Sequence, residues 1–568
     1  MPVAPRHPAS LGGATTTSGR DRSSRGLLVA GPLVLLLVAT GALIVLDPFA
    51  AATAGAAPHF VDETVASGLV QRFVGPDTFQ VGGGVAVFDC DGDRLPDIYL
   101  GGGEAPAALF RNASAVAGEL RLERVPSATT DLDNVMGAYP LDLDGDGLAD
   151  LAVLRAGENV ILRGTGDCVF ERANEALGIP SDGGLTTAFS ASWEGSSTLP
   201  TLAFGRYLEL DAAGVRTFIC DDSQLLRPTA DGTAYGPPIS LAPGYCALSM
   251  LFSDWDGSGR RDLRVSNDRA WYTDGMEQLW RMAPGEPPRL YGADDGWMRL
   301  RIWGMGIASQ DITGDGLPEV YLTSQGDNKL QTLAHGAGQP TFEDIALRRG
   351  VTSTLPFAGG QELPSTAWHP EFADVNDDGL TDLLVTKGNV GAQADYATRD
   401  PNDLFLGQPD GTFRNVADEA GILRYERGRG AALADFNLDG LLDLVVANYG
   451  ADAVLWRNVG SGTASAPAAM GNWAMLDLQQ GGPNLDAIGA RIEVRVGELT
   501  TTRERVVGGG HIGGQLGWIH LGLGTADEAS VRVTWPDGDV GPWLQVAANG
   551  FWVVERDAPE PRAWTPPE

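Results

Sequence analysis

The 568-residue chain carries 74 Asp and Glu against 40 Lys and Arg, a formal charge of −34, with 20% charged and 43% apolar residues. That acidity excludes a nucleic-acid binder, which needs clustered Lys and Arg against phosphates. The apolar share excludes an acidic disordered solvator. The 76 Gly and 35 Pro favour turn-rich β structure over a helical bundle.

Residues 1–25 hold Arg6, Arg20, Arg22 and Arg25 against a single acid, Asp21, and residues 26–46 are free of charge around Leu33-Val34-Leu35-Leu36-Leu37-Val38. As a helix this run crosses about 30 Å of hydrocarbon. The positive-inside rule then keeps the tail cytoplasmic and exports the rest. The small residues Ala50-Ala51-Ala52 and Ala54-Gly55-Ala56 also suit cleavage of a secretory signal. A membrane-anchored body at the periplasm or cell surface and a secreted body therefore both stay open.

The next element, Phe60-Val61-Asp62-Glu63-Thr64-Val65-Ala66, is a phrase that returns as Phe170-Glu171-Arg172-Ala173, Phe342-Glu343-Asp344-Ile345-Ala346 and Phe413-Arg414-Asn415-Val416-Ala417. After it comes a nine-residue pattern with acids at its first, third, fifth and ninth places: Asp89, Asp91, Asp93 and Asp97, then Asp142, Asp144, Asp146 and Asp150. Looser copies follow at Asp254 (Asp256, Ser258, Asp262), Asp311 (Thr313, Asp315, Glu319), Asp374 (Asn376, Asp378, Asp382) and Asp435 (Asn437, Asp439, Asp443). Alternate oxygen side chains on a Gly-bent loop converge on one point and supply the six to eight oxygens that Ca²⁺ takes. No Cys or His stands at a ligand place, which disfavours zinc and copper. The flanks are strands, Val85–Phe88 before the first loop and Ile98–Leu100 after it, so the loops are hairpin turns and not EF-hands.

One gap in this series, from 142 to 254, is about twice the others. Strand-like residues Thr187–Trp193 and Leu199–Phe204 fill it without ligands, predicting a repeat that binds no metal. In the same stretch Cys220 and Cys246 bracket a Pro- and Gly-rich loop, where a bridge stabilises by roughly 3 kcal/mol. Cys90 and Cys168 are the other two cysteines, and free buried thiols fit their spacing as well. Six loops plus one silent copy predict a seven-bladed β-propeller over 58–460.

Residues 461–470 read as a linker, 471–556 as a compact β-sandwich-like domain and 557–568 as a tail. Strands are expected at Trp473–Leu478, Arg491–Val496, Arg505–Val507, Trp518–Leu521, Val531–Trp535 and Phe551–Val554. Gly508-Gly509-Gly510-His511-Ile512-Gly513 matches a dinucleotide fingerprint in form, but no βαβ pattern surrounds it, so it reads as a glycine-rich β connection. The fold class is all-β: a seven-bladed propeller, a small β domain after it and an N-terminal transmembrane helix.

These phrases, with Gly304-Met305-Gly306-Ile307-Ala308-Ser309 and Arg429-Gly430-Ala431-Ala432-Leu433-Ala434-Asp435, resemble the FG-GAP or VCBS repeats of integrin α-chain propellers. The match is closer to bacterial members of the cartilage acidic protein family. Ala487-Ile488-Gly489-Ala490, His520-Leu521-Gly522-Leu523-Gly524 and Val533-Thr534-Trp535-Pro536-Asp537-Gly538 are similar to the ASPIC/UnbV domain that follows the propeller there. The resemblance implies Ca²⁺, at up to six sites, on the loop positions named above.

Six His are present, none paired at metal-ligand spacing, and no Gly-x-Ser-x-Gly elbow occurs. His369 is the best candidate for a functional imidazole, although a buried structural His is the plainer reading. No catalytic residue is assigned. Trp271, Trp297, Trp303 and Trp368 either line a binding face or pack between blades. The expected function is an extracytoplasmic, calcium-stabilised scaffold binding a protein or glycan, and the competing class is a polysaccharide-active enzyme with its site on the propeller face.

Overall fold

The computed structural model describes residues 55–181, 183–211, 213–269, 273–352, 363–391 and 395–567. Among them no helix is long and apolar enough to cross a membrane. The expected span 26–46 and Trp271 lie outside the described residues. The two α-helices among the described residues, Thr64–Ser67 and Ala346–Arg349, are single turns.

Among the described residues seven four-stranded antiparallel units, called sheets one to seven below, follow one another; the second and third are joined by the pairing of Gly184 and Leu185 with Gly157 and Ala156, and Gly514–Gln515 adds a fifth, parallel strand to the first. Their first two strands are Val85–Phe88 and Asp97–Leu100 in sheet one, Val135–Leu141 and Asp150–Gly157 in sheet two, and Gly184–Ser192 and Thr201–Arg206 in sheet three. Sheet four begins with Ala247–Ser253 and Asp262–Asn267, and sheet five with Gly304–Gln310 and Glu319–Ser324. Ala367–Ala373 and Asp382–Lys387 open sheet six, and Gly428–Ala434 and Asp443–Asn448 open sheet seven. The first strand of each sheet packs on that of the next, and the seventh returns to the first. The outcome is a propeller-like ring.

The repeated Phe phrase supplies outer strands: Phe170–Arg172, Phe342–Asp344 and Phe413–Asn415. Its first copy, Phe60–Asp62, pairs with Val454–Asn458 and completes sheet seven, so the start of the ring closes its end. The first and second strands are buried along most of their length because a sheet in a ring is covered on both faces. The apolar cores therefore lie between neighbouring sheets. One joins Val87, Ile98 and Phe110 to Ala432, Val445 and Leu455, and another joins Phe88, Tyr99 and Leu109 to Leu151, Val153 and Leu162. Trp297 belongs to such a core, with Trp255, Leu279 and Tyr291, so the binding-face reading fails for it. Both cysteine pairs are disulfides, Cys90–Cys168 and Cys220–Cys246.

The C-terminal module is two four-stranded sheets built from Asn472–Gln479, Ile519–Gly524, Gly550–Glu555 and Arg562–Trp564, and from Arg491–Val496, Leu499–Glu504, Glu528–Thr534 and Leu544–Ala547. Arg562–Trp564 lies in the stretch expected as a tail and pairs with Val553, Trp552 and Phe551. Arg505–Val507, expected as a strand of the module, leads out of it. From Val507 to Gln515 the chain enters the centre of the ring, bridging Ala191, Leu251, Ile307 and Ala138 and pairing in parallel with Ala86 and Val87. Glycine is needed there because backbones meet without room for a side chain. A Cβ on Gly513 would lie 2.0 Å from the Val85 oxygen, and one on Gly84 1.8 Å from the Ile512 oxygen. The fingerprint-like glycines are thus an axial plug.

Candidate metal centres

Each Asp loop joins the first and second strands of its sheet, so all six sit on one face of the ring. Their fourth and sixth residues adopt left-handed backbone, by Gly145 and Gly147 in the second loop and by Arg94, Asp377 and Leu438 where glycine is missing. That reversal turns backbone N–H groups inward onto the first carboxylate. Asp89 accepts from Gly92 (2.7 Å) and Arg94 (2.9 Å), Asp142 from Gly145 (2.8 Å) and Gly147 (3.0 Å), and Asp435 from Asp439 (3.0 Å) and Gly440 (2.8 Å).

The ninth residue stitches the loop to the rest of its sheet. Asp97 accepts the Cys90 and Asn112 N–H groups, Asp150 those of Leu143 and Gly164, Asp382 those of Val375 and Gly407, and Asp443 those of Phe436 and Asn458. Glu319 accepts from Ile312 and Thr313. A carboxylate offers about four lone pairs, so these bonds leave capacity for a cation. Carboxylate oxygens of Asp89, Asp91 and Asp97, and of Asp142, Asp144 and Asp146, lie within 4.8 Å of one another.

Two features fit these loops to a cation. Buried oxygens at the third place lack any hydrogen-bond partner in three loops: Asp144 Oδ1, Asn376 Oδ1 and Asn437 Oδ1. In the last two the amide nitrogen already donates to the fifth-place Asp378 (3.0 Å) and Asp439 (3.1 Å), which aims the oxygen into the loop. Burial also holds the carboxyls above their ordinary range. Asp93 and Asp142 are pushed up to about 6, Asp150 and Glu319 to about 7, and Asp374, Asp382, Asp435 and Asp443 upward. Repulsion from loop neighbours adds to the desolvation. Loops five and six are raised too at Asp378 and Asp439. Positive charge at the loop centre relieves both effects, and an all-oxygen donor set suits a hard cation.

The loop at Asp254 is different. Arg260, at the seventh place, puts Nε 2.8 Å from Asp262 Oδ1 and Nη2 3.0 Å from Oδ2. The Trp255 indole N–H (2.9 Å), the Tyr291 hydroxyl (2.8 Å) and the Met282 N–H (2.9 Å) use the remaining lone pairs. Asp262 has no oxygen left for a metal, and only Asp254 and Asp256 remain as acidic donors in that loop. The seventh place is leucine in the other five loops, Leu95, Leu148, Leu317, Leu380 and Leu441, so this departure was legible in the sequence. The silent hairpin uses the same device, since Glu194 accepts from Thr201 (2.9 Å) and Arg227 (2.9 Å). Sheets three and four are therefore braced by arginine.

Periodicity gave no sign that the C-terminal module sits on this same face. Arg94 of loop one pairs with Asp477 (3.1 Å), and Arg261 beside loop three donates to the Gly489 and Pro536 carbonyls (2.8 and 2.7 Å). His520 Nε2 lies 3.0 Å from Asp377 of loop five and 3.2 Å from the Gly440 carbonyl of loop six. Burial lowers His520 to about 4, so the imidazole is neutral and donates from Nε2. His369 is structural, its Nδ1 accepting the His511 N–H (3.2 Å) and its Nε2 facing Glu371 (3.3 Å).

Comparison with known proteins supports the two modules. A family described as FG-GAP-like repeat matches residues 89–153 and 311–385, and one described as ASPIC and UnbV matches residues 480–561. Cartilage acidic protein 1 of Mus musculus is 50% identical over 215 residues, 36% of this chain and 31% of that protein. The Xenopus tropicalis protein of the same name is 27% identical over 202 residues, 26% of this chain and 31% of that protein. The match thus spans about a third of the length of these relatives. Among solved structures, an Agrocybe aegerita lectin that recognises non-reducing terminal N-acetylglucosamine has a TM-score of 0.37 at 14% identity, over 64% of this chain and 88% of that one. Sqt1 of Saccharomyces cerevisiae has a TM-score of 0.36 at 10% identity, over 71% and 99%. The chain carries FG-GAP-like repeats followed by an ASPIC and UnbV domain, and about a third of it is similar to cartilage acidic protein 1.

Proposed function

We propose that this protein is an extracytoplasmic binding scaffold, a seven-bladed β-propeller braced by Ca²⁺ in five of its six Asp loops. The observation that carries the metal reading is the set of buried, partnerless oxygens at Asp144, Asn376 and Asn437, each at the third place of its loop. Such atoms are costly unless a ligand meets them. The export reading rests on the charge-free run 26–46 behind an Arg-rich tail. With the Asp-loop face covered by the C-terminal module, the opposite face is the one offered to a protein or glycan partner.

Calorimetric titration with Ca²⁺, and melting in chelator, test this. Five equivalents and a lower melting temperature after chelation are expected, since a ligand held only by the native state stabilises it by about 2.7 kcal/mol at a hundredfold excess over Kd. An unchanged melting temperature refutes the metal brace. Turnover of a polysaccharide with defined products would replace the scaffold by the enzyme reading.

A further inference from the structure

The axial plug belongs to the C-terminal module at both of its ends: it leaves after Leu499–Glu504 and returns at Ile519–Gly524. The ring holds it by backbone. The Gly509 and Gly510 N–H groups donate to the Met250 and Ile307 carbonyls (both 2.7 Å), and the Leu516 N–H donates to that of Val87 (2.9 Å). Beside these bonds the Tyr139 hydroxyl donates to the Gly509 carbonyl at 3.3 Å, and His511 stacks on the fully buried Trp368 at 4.8 Å. A plug tied to the module at both ends goes where the module goes.

The seat of the module differs from one side to the other. On the arginine-braced side Arg261 donates to the Gly489 and Pro536 carbonyls (2.8 and 2.7 Å), and Glu504 accepts the Asp254 N–H (3.1 Å). None of these contacts needs a cation. On the other side the module rests on loops that fit one. The His520 imidazole spans loops five and six, 3.0 Å from Asp377 and 3.2 Å from the Gly440 carbonyl, and the Gly524 N–H donates to the Asp377 carbonyl at 3.0 Å. The fit is close: a Cβ on Gly522 would lie 1.8 Å from Asp374 Oδ2, and one on Gly440 1.9 Å from the Trp473 ring. The atoms gripped are ones whose positions the loop shape sets, and Asp377 and Leu438 hold left-handed backbone there (φ 56° and 55°). Buried acids crowd this seat, Asp374, Asp377, Asp378 and Asp382 of loop five with Asp435 and Asp443 of loop six. When ionised they repel one another, and a cation in each loop removes that repulsion.

We propose that the module is a cation-released lid: when Ca²⁺ leaves loops five and six the seat there gives way, the module pivots on its loop-three side, and the plug leaves the ring axis with it. Ca²⁺ favours the seated state because only that state keeps the two loops in the shape the module grips. The ring itself stays closed, since its apolar cores join neighbouring sheets to one another. Opening uncovers the axis, with Tyr139 and Trp368 on its wall. This deepens the scaffold reading and rests on its metal brace.

The test is hydrogen exchange of the full chain in detergent, in Ca²⁺ and in chelator, below the melting temperature of the chelated protein, beside calorimetric titration with Ca²⁺. The Gly509, Gly510, Leu516 and Gly524 amides should exchange roughly tenfold faster or more in chelator, while Ala152–Leu154 and Leu202–Phe204 in the ring keep their rates. Asp377→Gly supplies a second arm. Its fourth place already holds glycine in loops one to four, so the turn and every ligand place are kept and only the carboxylate facing His520 goes. This variant should take up the same equivalents of Ca²⁺ as the parent, and in Ca²⁺ its plug amides should exchange faster. Plug amides that keep their rate in chelator, or quicken only in step with Ala152–Leu154, overturn the lid, as does a variant that exchanges like the parent. Absence of Ca²⁺ uptake would strike the brace and the lid together, whereas uptake with a fixed plug strikes the lid alone.

Discussion

The closure of the ring is open to a direct energetic test. Phe60–Asp62 holds sheet seven through only three paired residues, and next to it Glu63 Oε1 meets Arg457 Nε at 2.8 Å. Both side chains are buried, 7% and 2% exposed. Glu63 Oε2 also accepts the Leu120 N–H at 2.8 Å, and Arg457 donates to the Ala464 carbonyl at 2.8 Å. Glu63→Gln keeps the shape and leaves a guanidinium buried without its counter-charge. Removing one member of a buried pair costs about 3–5 kcal/mol, whereas replacing both by groups of similar volume is often neutral. Glu63→Gln and Arg457→Met should therefore each lower the urea midpoint of the Ca²⁺-loaded chain, and the double variant should recover most of the loss. Hydrogen exchange at Phe60–Asp62 should accelerate in each single variant, since that strand detaches first. Single losses below about 1 kcal/mol, or a double variant whose loss equals the sum of the singles, would refute the latch.

The loop carboxyls predict a pH effect. Their folded-state pKa values are raised, to about 6 for Asp142 and about 7 for Asp150, so in chelator their contribution is fully present below the ordinary value of 3.8 and is lost as pH rises through 6 to 7. Ca²⁺ favours the charged forms, so the increase in melting temperature on adding Ca²⁺ should grow from pH 5 to pH 7.5, and a constant increase would refute the assignment. Arg260→Leu removes the guanidinium that neutralises buried Asp262 and should cost about 3–5 kcal/mol by denaturant titration, with the Ca²⁺ equivalents unchanged. Gly513→Ala sets a methyl against the Val85 carbonyl and should cost roughly 1–3 kcal/mol or more, while Gly481→Ala, with no atom within 4 Å of its Cβ, should be neutral by the same measurement.

Within nine residues the sequence determines a great deal about this protein. Asp at the first place, glycine or its substitutes at the fourth and sixth, and an acid at the ninth dictate a hairpin turn that folds its own N–H groups onto a carboxylate, wherever it stands in the chain. Repetition of that local chemistry was enough to predict a ring of repeated β units, silent copy included, while the place of the Phe phrases as outer strands came from the structure. What it could not carry were contacts between distant residues that recur nowhere else. That Phe60–Asp62 completes the last sheet, that Gly508–Gly514 threads the ring and that His520 reaches Asp377 depend on partners up to hundreds of positions apart. Local turn energetics are written in each short segment. Closure and plugging exist only once seven sheets share an axis, because only then do their strand ends converge on one point.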